Sequence, residues 1–399
     1  MKSILIFARH LDLVEGGGSS RSLHTMSEQL HNNGWKVEVH VTDNLNLNRD
    51  YNYSIIDLTS EFSASNYVTF SNDVKKHLLK EARNFDLVHL FNPAYAPIAG
   101  YVRNKVNTPM ICRLNTYTIF CTNHAMMDGA CHQHCSPLDR IKHSQRSKLD
   151  KVVRLPRYIT QSTLEKKYLN KIDQYFAISP STKKIHTEHG ISTDITVIPN
   201  FIDSTYDEKK AHKNIENDGS FTHNLLYVGR LEKQKGVSVL IQAIDQLDNS
   251  DVHLNIIGDG DQRQELEKLT EYINHSNKIT FHGWVEYEYL PAYYENCDLF
   301  IHPHTWPEPF GRVILEALQF NCPIITSDTG APPWIAGEAG ISFKPRDSTS
   351  LCEKIQFLLD NEEEMRRMRG KTEERVEKFQ PEKIVPKIEQ NYENLLEHS

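Results

Sequence analysis

The chain has 399 residues, more than one hydrophobic core normally organises, so two domains are expected. Apolar residues make up 39% and charged residues 25%, ordinary for a soluble globular protein, and a net charge of −8 argues against a general nucleic-acid binder. No apolar run reaches the roughly 18 residues that a membrane-spanning helix needs.

In chain order, short apolar strands alternate with amphipathic helices, the pattern of a mainly parallel sheet. The opening MKSILIFARHL has one Lys before a very short apolar run. It reads as a first strand at 4–8 and not as a signal peptide, which places the protein in the cytoplasm or on the cytoplasmic face of a membrane. Gly16, Gly17 and Gly18 follow, then a helix expected to be capped by Ser19 or Ser20. Glycine lets backbone approach a ligand closely, and a helix amino end attracts anions. The other reading of the loop is a flexible surface turn. Further strands are expected at 36–41, 87–90, 110–114, 174–178 and 196–198.

Cys121, Cys131 and Cys135 lie among His124, His132 and His134, a dense group of soft ligands. The spacing would suit zinc held by three thiolates and one imidazole. A Cys/His-rich loop with reduced thiols and no metal is the alternative. Cys112, Cys297, Cys322 and Cys352 sit in or beside apolar stretches and read as core fillers. Residues 140–172 hold ten Lys or Arg against two acids, Asp150 and Glu165. Such a stretch could rest on an anionic membrane surface, receive a phosphorylated acceptor, or form a solvated basic face. Residues 203–224 are polar and poor in apolar side chains, and read as a linker between domains 1–202 and 225–381.

In the second half, strands are expected at 225–228, 253–257, 279–282, 299–302, 323–326 and 341–343. In LLYVGRLEKQKG, a strand turns at Gly229 and is followed by Arg230 and Lys235-Gly236. Two cations on a strand-to-helix loop can clamp a diphosphate, Arg by a fork and Lys as a point charge. They could equally be solvated loop charges. VHLNIIGDGDQRQEL repeats the pattern with Gly258-Asp259-Gly260, but lacks the third, helix-packing glycine of a dinucleotide fingerprint. It is not read as a nicotinamide site.

Next comes HPHTWPEPFGRVILE. Glu308 and Glu316 stand eight positions apart around Phe310-Gly311. That is a little over two helical turns, which puts Glu316 on a helix whose entry loop carries Glu308. Carboxylates suit hydroxyls, and the open amides at Phe310 and Gly311 suit anionic oxygens. A nucleotide-sugar fits both, although helix-entry acids also occur simply because the macrodipole favours them. After 361 the chain is highly charged, with Met365, Met368, Val376, Ile384, Ile388 and Leu395 at helical spacing.

Taken together, Gly229, Arg230, Lys235, Gly236, Gly258, Gly260, FHGWV at 281–285, EPFGRVILE at 308–316 and PIITSDTGAPPWI at 323–335 resemble a known pattern. It is that of the retaining glycosyltransferases of family-four, group 1 type, which include sucrose, mannosyl and N-acetylglucosaminyl transferases. The resemblance is tightest over about 222–345 and covers nearly the whole chain. It implies an α/β protein of the GT-B fold: two Rossmann-like doubly wound domains facing across a cleft, with a last helix at about 382–399 returning to the first domain.

The resemblance also implies roles. Arg230 and Lys235 would stabilise the diphosphate leaving group, and Glu316 would hold the ribose hydroxyls. Glu308 would orient the donor sugar, which the Phe310 and Gly311 amides would also bind. Gly17 and Gly18 would lie near donor phosphates or acceptor, and Gly229, Gly258, Gly260 and Val285 would line the donor site, with the base read by backbone around 283–285. The family usually has His-Asp after the fourth strand, where this chain has Asn115-Thr116. Asn can hydrogen-bond a sugar hydroxyl but cannot serve as a cation or base near neutral pH. Neither a protein nucleophile nor a metal or resident cofactor is expected. The partners would be a nucleotide-sugar donor and a hydroxyl acceptor, lipid-linked, glycan or small molecule, in the synthesis of cell-envelope polysaccharide or glycoconjugate. A GT-B nucleotide-sugar epimerase and a catalytically weak nucleotide-sugar binder stand as alternatives.

Overall fold

The structure is a computed structural model that describes residues 1–13, 17–47, 50–60, 72–121, 156, 159, 163–202, 222–248, 251–274 and 278–398. Gly16, the Cys/His-rich loop beyond Cys121, most of the basic stretch 140–172 and the segment 203–221 lie outside these residues. The chain forms two compact units, Met1–Phe201 with Pro381–Ser399, and Ile202–Gln380.

The first unit is built on a parallel sheet of seven strands: β1 (Ser3–Asp12), β2 (Lys36–Asn46), β3 (Ser54–Asp57), β4 (Leu87–Leu90), β5 (Met110–Leu114), β6 (Gln174–Ala177) and β7 (Ile195–Val197). Their order is β3-β2-β1-β4-β5-β6-β7. The order reverses between β1 and β4, the point where a doubly wound sheet opens a crevice at its carboxyl edge. Strands β1 and β2 run further than their apolar cores suggest. After a bulge between Ala8 and His10 they stay paired, Leu11 with Leu45 and Asp12 with Asn46. β3 has no counterpart among the expected strands, because an edge strand with mostly exposed side chains lacks an apolar signature.

One expected cap is also corrected. The first helix, Gly18–Asn32, has Gly17 at its N-cap and no side-chain cap. Ser20 lies inside the first turn, where its hydroxyl accepts a hydrogen bond from the Asp12 amide at 3.1 Å. The last helix, Pro381–Glu397, buries Ile384, Val385, Ile388 and Tyr392 in the first unit's core. The Tyr392 hydroxyl and His89 Nδ1 share a hydrogen bond at 2.6 Å, and the Tyr392 ring stacks on Phe176 with centroids 6.0 Å apart. Tyr392→Phe keeps the packing and removes the hydrogen bond from a fully buried imidazole. The expected loss is about 1–3 kcal/mol of stability, read as a lower denaturation midpoint.

The second unit repeats the plan with six parallel strands: β8 (His223–Val228), β9 (Val252–Ile257), β10 (Ile279–Gly283), β11 (Leu299–His302), β12 (Ile324–Ser327) and β13 (Gly340–Phe343). β8 starts two residues inside the stretch expected to be linker. The order β10-β9-β8-β11-β12-β13 reverses between β8 and β11. Its core joins inward residues of β8 and β9, such as Leu225, Leu254 and Ile256, to Leu240 and Ile244 of the helix Val237–Asp245 and to Leu351 and Ile355 of the helix Ser348–Leu359. The charged tail after 361 forms the helices Glu362–Arg369, Thr372–Glu377 and Pro381–Glu397, the last of them the helix expected at about 382–399. Cys112, Cys121, Cys297 and Cys322 are buried free thiols, and Cys352 is half-buried. Among the described residues no helix is long and apolar enough to cross a membrane.

Candidate functional site

In the second unit, β8 and β11 are neighbours whose chains leave for opposite faces of the sheet, so their carboxyl ends flank the switch point. β8 feeds a loop ending in the short turn Lys233–Lys235, and Gly236, in the left-handed region at φ 71°, passes the chain into the helix Val237–Asp245. β11 feeds the loop 303–311. The two loops are joined by backbone: the Thr305 amide donates to the Gln234 carbonyl at 2.8 Å.

This junction brings two of the sequence-derived residues together. Lys235 Nζ lies 2.7 Å from Glu308 Oε2. Trp306 Nε1 donates to the same oxygen at 2.9 Å, and the Lys235 ammonium stands 5.8 Å from the Trp306 ring centroid. Among the described residues Glu308 Oε1 takes no hydrogen bond. The carboxylate is thus fixed through one oxygen and keeps the other to accept from a ligand. Burial pushes Glu308 toward the neutral acid, but the charge and hydrogen bond of Lys235, with His304 and Trp306, outweigh it and hold the carboxyl below its ordinary range.

Packing fixes the backbone of Glu308. Gly330, at φ 71°, lies so close that an added Cβ would fall 2.5 Å from both the amide nitrogen and the carbonyl oxygen of Glu308. The Ala331 amide also donates to the Glu308 carbonyl at 2.9 Å. At the start of the loop, His302 and His304 are buried with their Nδ1 atoms 2.7 Å apart, and His304 Nε2 is 2.9 Å from the Thr329 carbonyl.

The glycine-bearing turns after β8 and β9 meet backbone to backbone. A Cβ on Gly258 would lie 1.9 Å from the Gly229 carbonyl oxygen, and one on Gly260 would lie 2.5 Å from the Leu231 carbonyl oxygen. The Gly258 amide donates to the Gly283 carbonyl at 2.8 Å, which adds the end of β10, next to Val285, to the same rim. Arg230 leaves this rim exposed. Its guanidinium lies 3.3 Å from Glu232 Oε1, with 63% of the side chain open to solvent. Such a surface pair is worth about 0–1 kcal/mol and can be exchanged for a phosphate partner. The expected Arg230–Lys235 clamp is therefore not assembled: Lys235 turns to Glu308 and Arg230 to Glu232.

Gly311 is the N-cap of the helix Arg312–Gln319, and Phe310 is buried edge-on against Phe379, centroids 6.1 Å apart. Glu316 is buried on that helix and accepts a hydrogen bond from the Tyr294 hydroxyl at 3.1 Å. Burial, reinforced by Glu316, drives the Tyr294 phenol well above its usual range, so it stays a donor to the carboxylate. In the first unit, Asn115 directly follows β5. Its Nδ2 donates to the Phe91 carbonyl at 3.0 Å and to Ser19 Oγ at 3.3 Å, which sets it beside the helix start at Gly17 and Gly18. Among the described residues its buried Oδ1 takes no hydrogen bond.

Trp306, His302, His304 and Gly330 shape this site and stand inside the quoted motif stretches without an assigned role, and Tyr294 lies outside those stretches. His302 and His304 had a signal, since positions two apart at a strand end share a face. Tyr294 and Gly330 act through contacts distant in sequence, which the sequence alone does not display.

Residues 208–375 match the family model described as Glycosyl transferases group 1, and residues 16–206 match that described as Glycosyltransferase Family 4. An uncharacterized glycosyltransferase of Methanocaldococcus jannaschii is 37% identical over 140 residues, 34% of this chain and 36% of that protein. The chain spans about a third of the length of the first curated relatives it matches, 35% and 36%. Among solved structures, sucrose-phosphate synthase from Thermosynechococcus elongatus superposes with a TM-score of 0.77 at 20% identity, covering 100% of both chains. HepE from Anabaena in complex with UDP-glucose gives a TM-score of 0.70 at 17% identity, covering 99% of this chain and 100% of that one. At these identities the likeness to the solved structures is one of fold.

Proposed function

The chain belongs to the group 1 glycosyltransferases with the GT-B fold, and from that membership we propose that it moves a hexose-type sugar from a nucleotide-diphosphate sugar to a hydroxyl acceptor with retention of configuration. The observation that carries this reading is the Glu308 carboxylate at the switch point, held by Lys235 and Trp306 through one oxygen with the other available. A carboxylate so placed accepts hydroxyls of a sugar. The adjoining Phe310 and Gly311 amides, at a helix start, bind the same sugar.

In this reading Glu308 orients the donor sugar and Glu316, oriented by Tyr294, holds the ribose hydroxyls. Lys235 and Arg230 stabilise the diphosphate as its charge builds, where preorganised charge is most effective. Binding requires Arg230 to leave Glu232 for phosphate, a rotation its exposure allows. The leaving phosphate takes the acceptor proton on the same face, so neither a protein nucleophile nor a metal is needed. Asn115 Oδ1 accepts from a hydroxyl beside the Gly17–Gly18 turn. The UDP-glucose complex of HepE makes a uridine donor the first to try. The basic stretch 140–172 favours an anionic or membrane-borne acceptor of the cell-envelope type.

A thermal-shift panel of nucleotide-sugars and free nucleotides tests this, with Glu316→Ala as control. Ligand at about 100 times its Kd should add roughly 2.7 kcal/mol to the folded state. A melting-point rise with one nucleotide-sugar, lost in the variant, is the expected result. A wild-type protein unmoved by every nucleotide sinks the proposal.

A further inference from the structure

We propose that His302 and His304 form a tautomer chain that presents the His302 Nε2 lone pair beside Gly311 as the hydrogen-bond acceptor for a hydroxyl of the bound donor sugar. This deepens the donor reading above and rests on it. His302 ends β11, and His304 follows one Pro later, inside the loop that carries Glu308. Their rings are 4.6 Å apart at 59°, and both side chains are almost wholly removed from solvent.

The proton positions follow from the partners. Thr329 offers a carbonyl, which only accepts, so His304 Nε2 at 2.9 Å must carry hydrogen. Burial, with Lys235 adding to it, holds His304 below its ordinary range against the opposing pull of the Thr329 carbonyl, Glu308 and the His302 carbonyl. His304 is then neutral and its Nδ1 is bare. A distance of 2.7 Å between the two Nδ1 atoms requires one proton between them, and only His302 can supply it. His302 therefore carries hydrogen on Nδ1 and a lone pair on Nε2. The 3.1 Å approach of His304 Nδ1 to the His302 carbonyl would be a hydrogen bond only for an imidazolium, the form that burial disfavours.

His302 Nε2 lies 3.6 Å from where a Cβ on Gly311 would stand, at the entry of the helix Arg312–Gln319. Among the described residues it takes no hydrogen bond. A ring nitrogen that carries a lone pair and that no described residue engages is open to a hydroxyl donor of the ligand. An ionised phosphate has no proton to give, whereas a sugar hydroxyl has one. His302 thus selects the sugar end of the ligand over the phosphate end, and His304 acts on it as a positioning residue.

Calorimetry on the full chain tests this, with UDP, GDP and ADP and their glucose conjugates as probes. Wild type should bind at least one conjugate. His302→Phe should weaken that conjugate about tenfold, the scale of one hydrogen bond, and leave the matching diphosphate within about twofold. His302→Gln, which restores an acceptor, should recover most of the loss. Unchanged conjugate binding in His302→Phe, or equal loss for conjugate and diphosphate, overturns the proposal. A wild type that binds conjugates no better than the bare diphosphates overturns it and leaves nucleotide binding standing. A wild type that binds no diphosphate overturns the donor reading and this one with it. Should the variants not fold, imidazole nitrogen NMR of the wild type decides: hydrogen on His302 Nδ1 and His304 Nε2 supports the chain, and hydrogen on His302 Nε2 overturns it.

Discussion

Replacing Lys235 by alanine should slow release of nucleoside diphosphate from the donor by about 10²–10³-fold, the usual cost of removing one preorganised charge from a developing anion. Two effects add. The diphosphate loses its cation, and Glu308 Oε2 keeps only the Trp306 indole of its two partners. Lys235 Nζ is 2.7 Å from that oxygen, and only 12% of the Glu308 side chain remains open to solvent. Taking one partner from a buried pair costs about 3–5 kcal/mol, because the other charge is stranded. The variant should therefore melt lower as well as turn over more slowly. Wild-type turnover in the folded variant would remove Lys235 from the mechanism.

The same substitution has a pH signature. In the wild type the Glu308 carboxyl is held below its ordinary range. A depressed carboxyl stabilises the fold at pH above its unfolded value, about 4.3, and that contribution is lost as pH falls through the folded value. Without Lys235, burial is left as the largest influence and pushes the carboxyl up. A raised carboxyl does the reverse: it favours the fold at acidic pH and loses that contribution as pH rises through the folded value. The melting-temperature gap between wild type and Lys235→Ala should then be widest near neutral pH and narrow toward pH 4. A gap independent of pH would mean that the loss comes from packing of the lysine stem.

The parts of this molecule legible in the sequence are those set by local rules. Alternating short apolar runs and amphipathic segments name a parallel α/β protein, and glycines at strand ends mark where backbones approach, as at Gly229 and Gly258. The helix carrying Glu316 follows from spacing alone. What was not legible depends on tertiary contact. Whether Lys235 faces a phosphate, Arg230 or Glu308 is decided by the meeting of two loops 73 residues apart. The Tyr294–Glu316 hydrogen bond joins neighbouring helices across 22 residues. β3 and the polar ends of β1 and β2 escaped because strand pairing, and not apolar burial, keeps them extended. The cap went to Gly17 because the Ser20 hydroxyl serves the Asp12 amide instead.

Gly258→Ala should destabilise the protein by about 3–5 kcal/mol, in the range reserved for backbone clashes and strain, and should abolish donor binding with it. The residue sits at φ 130°, where a Cβ is strained before any neighbour is considered. The neighbour is also backbone: the Gly229 carbonyl oxygen would lie 1.9 Å from the new carbon, so no side-chain rotation relieves the contact. Either β8 and β9 part at their carboxyl ends or the chain at 258 changes conformation. Parting would break the hydrogen bond from the Gly229 amide to the Ile257 carbonyl, now 3.0 Å. A conformational change would break that from the Gly258 amide to the Gly283 carbonyl, now 2.8 Å. Both routes disturb the turn that leads through Arg230 to Lys235, so stability and binding fall together. For a unit of this size each kcal/mol lowers Tm by about 2–4 °C, giving a drop on the order of 10 °C. Gly17→Ala is the contrast, since no atom lies within 4 Å of its added carbon and its φ is ordinary. It should melt within about 2 °C of the wild type, as surface substitutions away from such features do. Equal melting of the two variants would show that the meeting of the β8 and β9 turns does not constrain the donor site.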